Sequence, residues 1–226
     1  FADSNSKAYK LGNWNPFSND KSDWFDPNWM FGVEKFDIVI GNPPYVLLQN
    51  TRLSIEEQKI LRKNYKTAQY KTDLFHLFFE QGLRCLNDVN AILCYITPNT
   101  YLKNKHNNLL REYILKNAHV VEVIRFYVPI FKNASVDNAI IIANTKKEIK
   151  SETIIVKDIS NNNYSSLFKS PSVSLLQKSI MNGEYSFDFD LIGSPIANSF
   201  NNFPILKDFG RAYFGIQTFD RNTFVS

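Results

Sequence analysis

The sequence predicts an α/β protein, an open sheet that ends in an antiparallel hairpin. Three observations predict it. Short apolar runs rich in branched residues, Phe36–Ile40, Ala91–Ile96 and Val120–Tyr127, recur along the chain. Segments with helix signals separate them, which is the strand–helix alternation of α/β folds. A fourth apolar run, Val136–Ala143, follows the third after a connection too short for a parallel crossover, so the last two strands are expected to pair antiparallel.

Residues 1 to about 34 are polar and rich in Asn, Asp, Ser, Pro and Trp, and read as an irregular lead-in with aromatic anchors. Asp20, Asp23 and Asp26 lack the Gly turn and closing Glu of a calcium loop, which favours solvated carboxylates over a metal site. Phe36–Ile40 reads as a strand covered on both faces. Ser54 and Glu57 form a capping box that opens a helix over residues 54–63. Asp73 caps a second helix whose apolar residues, Leu74, Phe75, Leu77, Phe78, Phe79, Leu83, Cys85 and Leu86, cover most of its circumference, so that helix is largely buried. His76 within it reads as a core histidine rather than a catalytic one. Ala91–Ile96 is the second buried strand, closed by Thr97-Pro98-Asn99. A helix from about Tyr101 to Asn117 follows, basic on one side. After Asn144 the pattern changes. Lys146-Lys147-Glu148 is a polar break, Ile154-Ile155-Val156 extends the sheet, and the remainder leads into a further domain. The domain reading is therefore 1–35 lead-in, 36–145 catalytic half, and 146–226 connector and start of another domain.

The chain has 226 residues, is 44% hydrophobic and 15% aromatic, and so can bury a substantial core. A net charge of +4 permits a nucleic-acid partner without requiring one. Cys85 and Cys94 lie in apolar runs without zinc-type spacing, and read as buried free thiols of a cytoplasmic, reducing compartment. No run reaches the roughly 18 apolar residues of a membrane span.

The chemistry concentrates after the first strand, in Gly41-Asn42-Pro43-Pro44-Tyr45. Ligands of open α/β sheets bind at the carboxyl ends of strands. Asn42 offers a side-chain carbonyl. Pro43 offers a backbone carbonyl and no N–H, and Pro44 holds Pro43 extended. The result is a stiff loop with two aimed acceptors, and Tyr45 adds a flat face. Such a loop suits an amino group whose lone pair is delocalised. Gripping both N–H bonds favours a tetrahedral nitrogen and stabilises the positive charge that develops on it during alkylation. A plain strand-ending Pro-Pro turn is the competing reading.

Asn42-Pro43-Pro44-Tyr45 after Phe36–Gly41 resembles the catalytic motif of S-adenosylmethionine-dependent amino-methyltransferases. From about Trp24 to Asn144 the chain is similar to adenine-N6-specific DNA methyltransferases of type II restriction–modification systems, especially the γ motif order of type IIG enzymes. A weaker resemblance runs on to Ser226. Lys71-Thr72-Asp73-Leu74-Phe75 resembles the segment opening the helix beside the cofactor, and Ile92–Thr100 the next strand and its Pro-Asn turn. Val128–Asn138 resembles the late hairpin loop.

The resemblance implies a Rossmann-like methyltransferase sheet and S-adenosylmethionine as cofactor, in a bacterial enzyme acting on double-stranded DNA. Asn42 Oδ1 and the Pro43 carbonyl would accept from adenine N6, Tyr45 would stack on the base, and Phe131 would cover it. The base would be flipped from the duplex. Asn42, Pro43, Asp73 and Leu74 would lie against the cofactor. For Phe131, a core aromatic of the hairpin turn is an equal alternative. The family's acidic-aromatic-x-Gly-x-Gly loop does not precede residue 36, and the chain opens at Phe1. It therefore reads as the later part of a methyltransferase domain, one that binds S-adenosylmethionine weakly by itself and needs the rest of its own polypeptide. Phe214–Phe219 resembles the entry into a target-recognition domain, with Phe219 where the motif has Gly. Rival functions are methylation of a protein glutamine or of RNA, and a non-catalytic DNA-binding specificity module. No Pro-Asp…Glu-x-Lys nuclease cluster is present, although a nuclease in the parent protein stays open. Lys103, Lys105, Arg111, Arg125 and Lys132 would meet phosphates or be merely solvated.

Overall fold

A computed structural model describes residues 3–15, 26–68, 71–131, 136–145, 153–160, 172–177 and 180. The chain divides into two units, Phe1–Phe187 and Asp188–Ser226, and every described residue belongs to the first. The described elements are α1 (Lys7–Asn13), α2 (Pro27–Phe31), β1 (Ile38–Gly41), α3 (Ile55–Asn64), α4 (Leu74–Cys85), β2 (Ile92–Pro98), α5 (Asn108–Asn117), β3 (His119–Phe126), β4 (Asn138–Asn144), β5 (Thr153–Ile159) and β6 (Ser172–Leu176).

The strands form one six-stranded mixed sheet in the order β1-β2-β4-β3-β5-β6. β1 and β2 are parallel, as are β3 and β5, while β4 lies antiparallel between β2 and β3. The expected hairpin is therefore present, and its return strand fills the space between β2 and β3. β5 carries Ile154–Val156 into the sheet, and β6 pairs antiparallel with it. Gln177, fully buried just beyond β6, ties this end to the turn between α5 and β3. Its Oε1 accepts from the Val120 N–H at 2.8 Å, and its Nε2 donates to the Ala118 carbonyl at 3.0 Å.

Register sorts the side chains into two faces. Leu93, Tyr95, Ile141, Ala143 and Val123 share the face on which α4 and α5 pack, and all are buried. Gly82 of α4 sits tight against that face. A Cβ there would lie 2.4 Å from Tyr95 Oη and 2.7 Å from Leu93 Cδ1, so only glycine allows this approach. α3 keeps its capping box: the Glu57 N–H donates to Ser54 Oγ at 3.2 Å, and Glu57 Oε2 accepts from the Ser54 N–H at 2.9 Å. Arg84 and the buried Glu80 pair on α4, and Glu80 also accepts from the Thr67 N–H at 2.9 Å.

Several expectations are corrected. β1 is not covered on both faces. It is an edge strand, and Ile38 and Ile40 are 64% and 77% exposed. They continue across the sheet into Ile92, Cys94 and Ile142 on the face opposite α4 and α5, where Ile92 is exposed and the other two are half-buried. The lead-in is not wholly irregular. Ser6 and Asp26 cap the short helices α1 and α2, because a side-chain oxygen at the N-cap satisfies an early N–H. Its aromatics Tyr9, Trp14, Trp29 and Phe31 are exposed rather than anchoring. The helix expected from Tyr101 is broken into two 3₁₀ turns, Asn99–Leu102 and Lys105–Asn107, before α5 begins. Asn104 interrupts it by accepting the His106 N–H at 2.9 Å, the local capping that favours Asn outside helix interiors. Cys85 and Cys94 are free thiols, as expected, but half-buried. Asp20 and Asp23 lie outside the described residues. No cluster able to hold a metal ion occurs among the described residues, and none of their helices is long and apolar enough to cross a membrane.

Candidate functional site

Gly41 ends β1 beside Tyr95 of β2, so Asn42–Val46 emerges at the carboxyl end of two parallel strands. Beyond the loop the chain is pinned to the start of α4. The Leu48 N–H donates to the Thr72 carbonyl and the Leu74 N–H to the Val46 carbonyl, both at 2.8 Å. Leu48 is fully buried there. The loop is thus anchored at both ends, while Asn42 and Pro44 stay exposed and Pro43 is buried.

Asn42, Pro43, Pro44, Tyr45 and Phe131 line one cavity of about 340 Å³. That lies within the range of small-molecule sites. Phe131, half-buried, is thereby brought to the loop from the β3–β4 connection, the two being 86 positions or more apart in sequence. Neither Asn42 Oδ1 nor the Pro43 carbonyl accepts a hydrogen bond from another described residue. The Asn42 side chain is exposed at the cavity, and Pro43 lines it. Tyr45 is held firmly: its Oη donates to the Ile96 carbonyl at 3.2 Å and accepts from Asn138 Nδ2 at 3.4 Å. Its ring meets Phe75 edge-on, with centroids 6.4 Å apart, and Phe75 continues into a buried cluster with Phe79 and Tyr101. Burial raises the Tyr45 phenol pKa above its ordinary value, against the lowering effect of the Asn138 hydrogen bond. The phenol is therefore neutral at physiological pH.

Asp73 and Leu74 are half-buried at the start of α4 and do not line this cavity. Asp73 stands at the N-cap position, and its backbone carbonyl accepts from the His76 N–H at 3.0 Å. Its side chain makes no capping bond, and Oδ1 has no hydrogen-bond partner among the described residues. Burial raises its carboxyl pKa, although the backbone amides of Phe75, Val46 and Leu74 act to lower it. Asp73 instead borders a second cavity of about 190 Å³, together with Lys71, His76, Asn104 and His106. His76 is 2% exposed, stacks edge-on against Phe75, and has no partner at either ring nitrogen. Burial lowers its pKa to about 4, so it is a neutral core histidine, as the sequence suggested.

Of the basic residues considered for phosphates, Lys103 and Lys105 are exposed after β2. Arg111 and Arg125 are not surface groups. Arg111, 2% exposed, donates to the Tyr101 and Asn104 carbonyls at 2.6 and 2.7 Å. Arg125, 5% exposed, forms a bidentate pair with Asp158, both contacts at 2.7 Å. Charge on a helix or strand does not reveal burial when the head group finds a partner distant in sequence. Lys132 lies outside the described residues. The residue that sequence reading passed over is Asn138. Its one visible signal is an amide at the first position of a strand whose interior is apolar, Ala139–Ala143.

Comparison with known proteins places this geometry. Residues 3–131 match the family described as Eco57I restriction-modification methylase. The chain is 28% identical over 126 residues to the type II restriction enzyme and methyltransferase RM.Eco57I of Escherichia coli, covering 55% of this chain and 12% of that protein. It is 29% identical over 153 residues to the type II methyltransferase M.BstVI of Geobacillus stearothermophilus, covering 60% of this chain and 26% of the relative. The chain thus spans about a quarter or less of the length of these relatives. Among solved structures, the methyltransferase subunit of a type I restriction-modification system from Streptococcus thermophilus superposes with a TM-score of 0.53. That match has 16% identity and covers 70% of this chain and 38% of that one, a likeness of fold.

Proposed function

Because the chain belongs to the Eco57I restriction-modification methylase family, we propose that it carries the amino-group site of an adenine-N6 DNA methyltransferase. The observation that supports this most is the cavity in which two vacant acceptors, Asn42 Oδ1 and the Pro43 carbonyl, share walls with Tyr45 and Phe131. An adenine must leave the duplex to enter it. The two acceptors then accept hydrogen bonds from the two N6 hydrogens, Tyr45 stacks on the ring, and Phe131 closes the opposite side. Holding both N–H bonds stabilises the ammonium character that develops on N6 and needs no prior deprotonation. Among the described residues no carboxylate or imidazole borders the cavity, in keeping with that chemistry.

S-adenosylmethionine, when bound, supplies the electrophilic methyl group. Asn42 and Pro43 would border its reactive end, and Asp73 Oδ1, which has no hydrogen-bond partner among the described residues, would accept from a cofactor hydroxyl or ammonium. Leu74 completes the set assigned to the cofactor. The residues before β1 carry no glycine-rich loop, so this chain alone is expected to hold the cofactor weakly. We assign residues 36–145 to the catalytic half, with β5 and β6 extending its sheet and a target-recognition domain beyond. Double-stranded DNA in a bacterial cytoplasm is the setting we assign.

The test is methyl transfer. The polypeptide that carries this chain is incubated with methyl-labelled S-adenosylmethionine and duplex DNA, and the nucleosides are resolved by mass spectrometry. N6-methyladenine, lost in Asn42→Ala, is the expected product. Label in protein glutamine or RNA alone would redirect the assignment to those substrates, and DNA binding without any transfer would make the chain a specificity module.

A further inference from the structure

Tyr45 and Phe131 come from segments far apart in sequence, yet a base held between them needs both walls in fixed relation. The described residues contain a hydrogen-bonded link that fixes the Tyr45 wall. Asn138 opens β4, directly after the loop that carries Phe131. It is 1% exposed, and its single amide nitrogen serves two acceptors, Tyr45 Oη at 3.4 Å and the Thr97 carbonyl at 3.5 Å. Tyr45 Oη donates in turn to the Ile96 carbonyl at 3.2 Å. The chain Asn138 to Tyr45 to Ile96, closed by Asn138 to Thr97, ties the end of β2, the start of β4 and the motif loop together. Beside it, the Asn99 N–H donates to the Asp137 carbonyl at 2.9 Å, fixing the hairpin's return to the end of β2.

We propose that Asn138 is a positioning residue that, together with the Ile96 carbonyl, holds the Tyr45 ring where it forms one wall of the base cavity. The assignment rests on the adenine reading above. It concerns a group that touches no substrate itself. The physical reasons are three. The buried amide nitrogen has two acceptors within 3.5 Å, Tyr45 Oη and the Thr97 carbonyl, which favours one placement of the side chain. Linked hydrogen bonds polarise and stiffen one another. Small misplacements of groups that orient a reactant cost large factors in rate. The other restraints on the Tyr45 ring are its own hydrogen bond to the Ile96 carbonyl and the edge contact with Phe75, and Asn138 is the one donor among the described residues that reaches the hydroxyl oxygen.

The test is a double-mutant cycle on the polypeptide that carries this chain. Asn138→Ala and Tyr45→Phe are made singly and together, with Asn138→Asp as a variant of the same shape that lacks the N–H donors. The expected outcome for Asn138→Ala is at least a tenfold fall in kcat for adenine methylation with the DNA KM within twofold. In the Tyr45→Phe background the same change costs less than twofold, since no hydroxyl remains to be held. Asn138→Asp is expected to follow alanine and not the wild type. A second readout is the emission of 2-aminopurine placed opposite an abasic site in duplex DNA, which reports capture of the base between aromatic walls. Wild-type emission changes on binding, and Asn138→Ala reduces that change only when Tyr45 is present. Independent effects of the two substitutions, in kcat and in emission, overturn the assignment. If the wild type neither methylates adenine nor captures 2-aminopurine, the adenine reading itself fails. The link is then decided by urea unfolding of the same four proteins, where additive midpoint shifts overturn it and non-additive shifts sustain it.

Discussion

Replacing His76 by leucine is expected to flatten the acid side of this protein's stability profile. The imidazole is 2% exposed, packs against the Phe75 ring at 4.4 Å, and has no hydrogen-bond partner at either nitrogen. Burial therefore moves its pKa from 6.5 to about 4 in the folded protein. The unfolded chain takes up a proton near pH 6.5, and the folded protein does so only near pH 4. Between those values the unfolded state binds more protons, so stability falls as pH falls. The His76 contribution is complete above pH 6.5 and exhausted below about pH 4. A shift of that size corresponds to about 3 kcal/mol across the window, of which roughly 2 kcal/mol is already lost at pH 5. Leucine has a similar volume and no proton to bind. At pH 7 the His76→Leu protein is expected to lie within about 1 kcal/mol of the wild type, since it exchanges an unpaired buried polar ring for an apolar group. At pH 5 it is expected to be favoured, relative to its position at pH 7, by about 2 kcal/mol. Urea unfolding followed by circular dichroism at the two pH values measures this. Other titrating groups are common to both proteins and cancel in the comparison. An identical wild-type-to-variant difference at pH 7 and pH 5 would refute the reasoning, because His76 would then titrate normally in the fold.

Three further outcomes follow from the same geometry. Asn42→Ala is expected to lower adenine methylation by about 10²–10³-fold, the range for loss of one aimed transition-state contact. Its unfolding midpoint should stay within experimental error of wild type, because the Asn42 side chain is exposed. Gly82→Ala should destabilise by about 1–3 kcal/mol in urea unfolding, as overpacked core sites do, since its Cβ would meet Tyr95 Oη at 2.4 Å. Ser54→Ala removes the oxygen that accepts the Glu57 N–H and is expected to cost about 1 kcal/mol in the same measurement.

Local signals in the sequence were reliable wherever the physics is local. The capping box of Ser54 and Glu57, the apolar strands, the mostly buried α4 and the short β3–β4 connection all depend on neighbours a few positions away. Where the expectation missed, a distant partner decided. Arg111 and Arg125 look like surface cations in the chain, and their burial depends on the carbonyls of Tyr101 and Asn104 and on Asp158. β1 has the composition of a strand covered on both faces, yet Ile38 and Ile40 lie exposed on the face opposite α4 and α5, which no described helix covers.

The candidate site divides the same way. By itself, the sequence determined the two acceptors of Asn42-Pro43-Pro44-Tyr45, because proline geometry and the missing N–H groups are properties of those residues. Only the tertiary structure decided that Phe131 shares their cavity, that Asp73 borders a different one, and that Asn138 reaches the Tyr45 hydroxyl. Those relations are set by strand order. β4 inserts between β2 and β3, which carries the hairpin loop to the end of the sheet where the motif emerges. Strand order is a property of the packed sheet, which no single segment of the chain encodes.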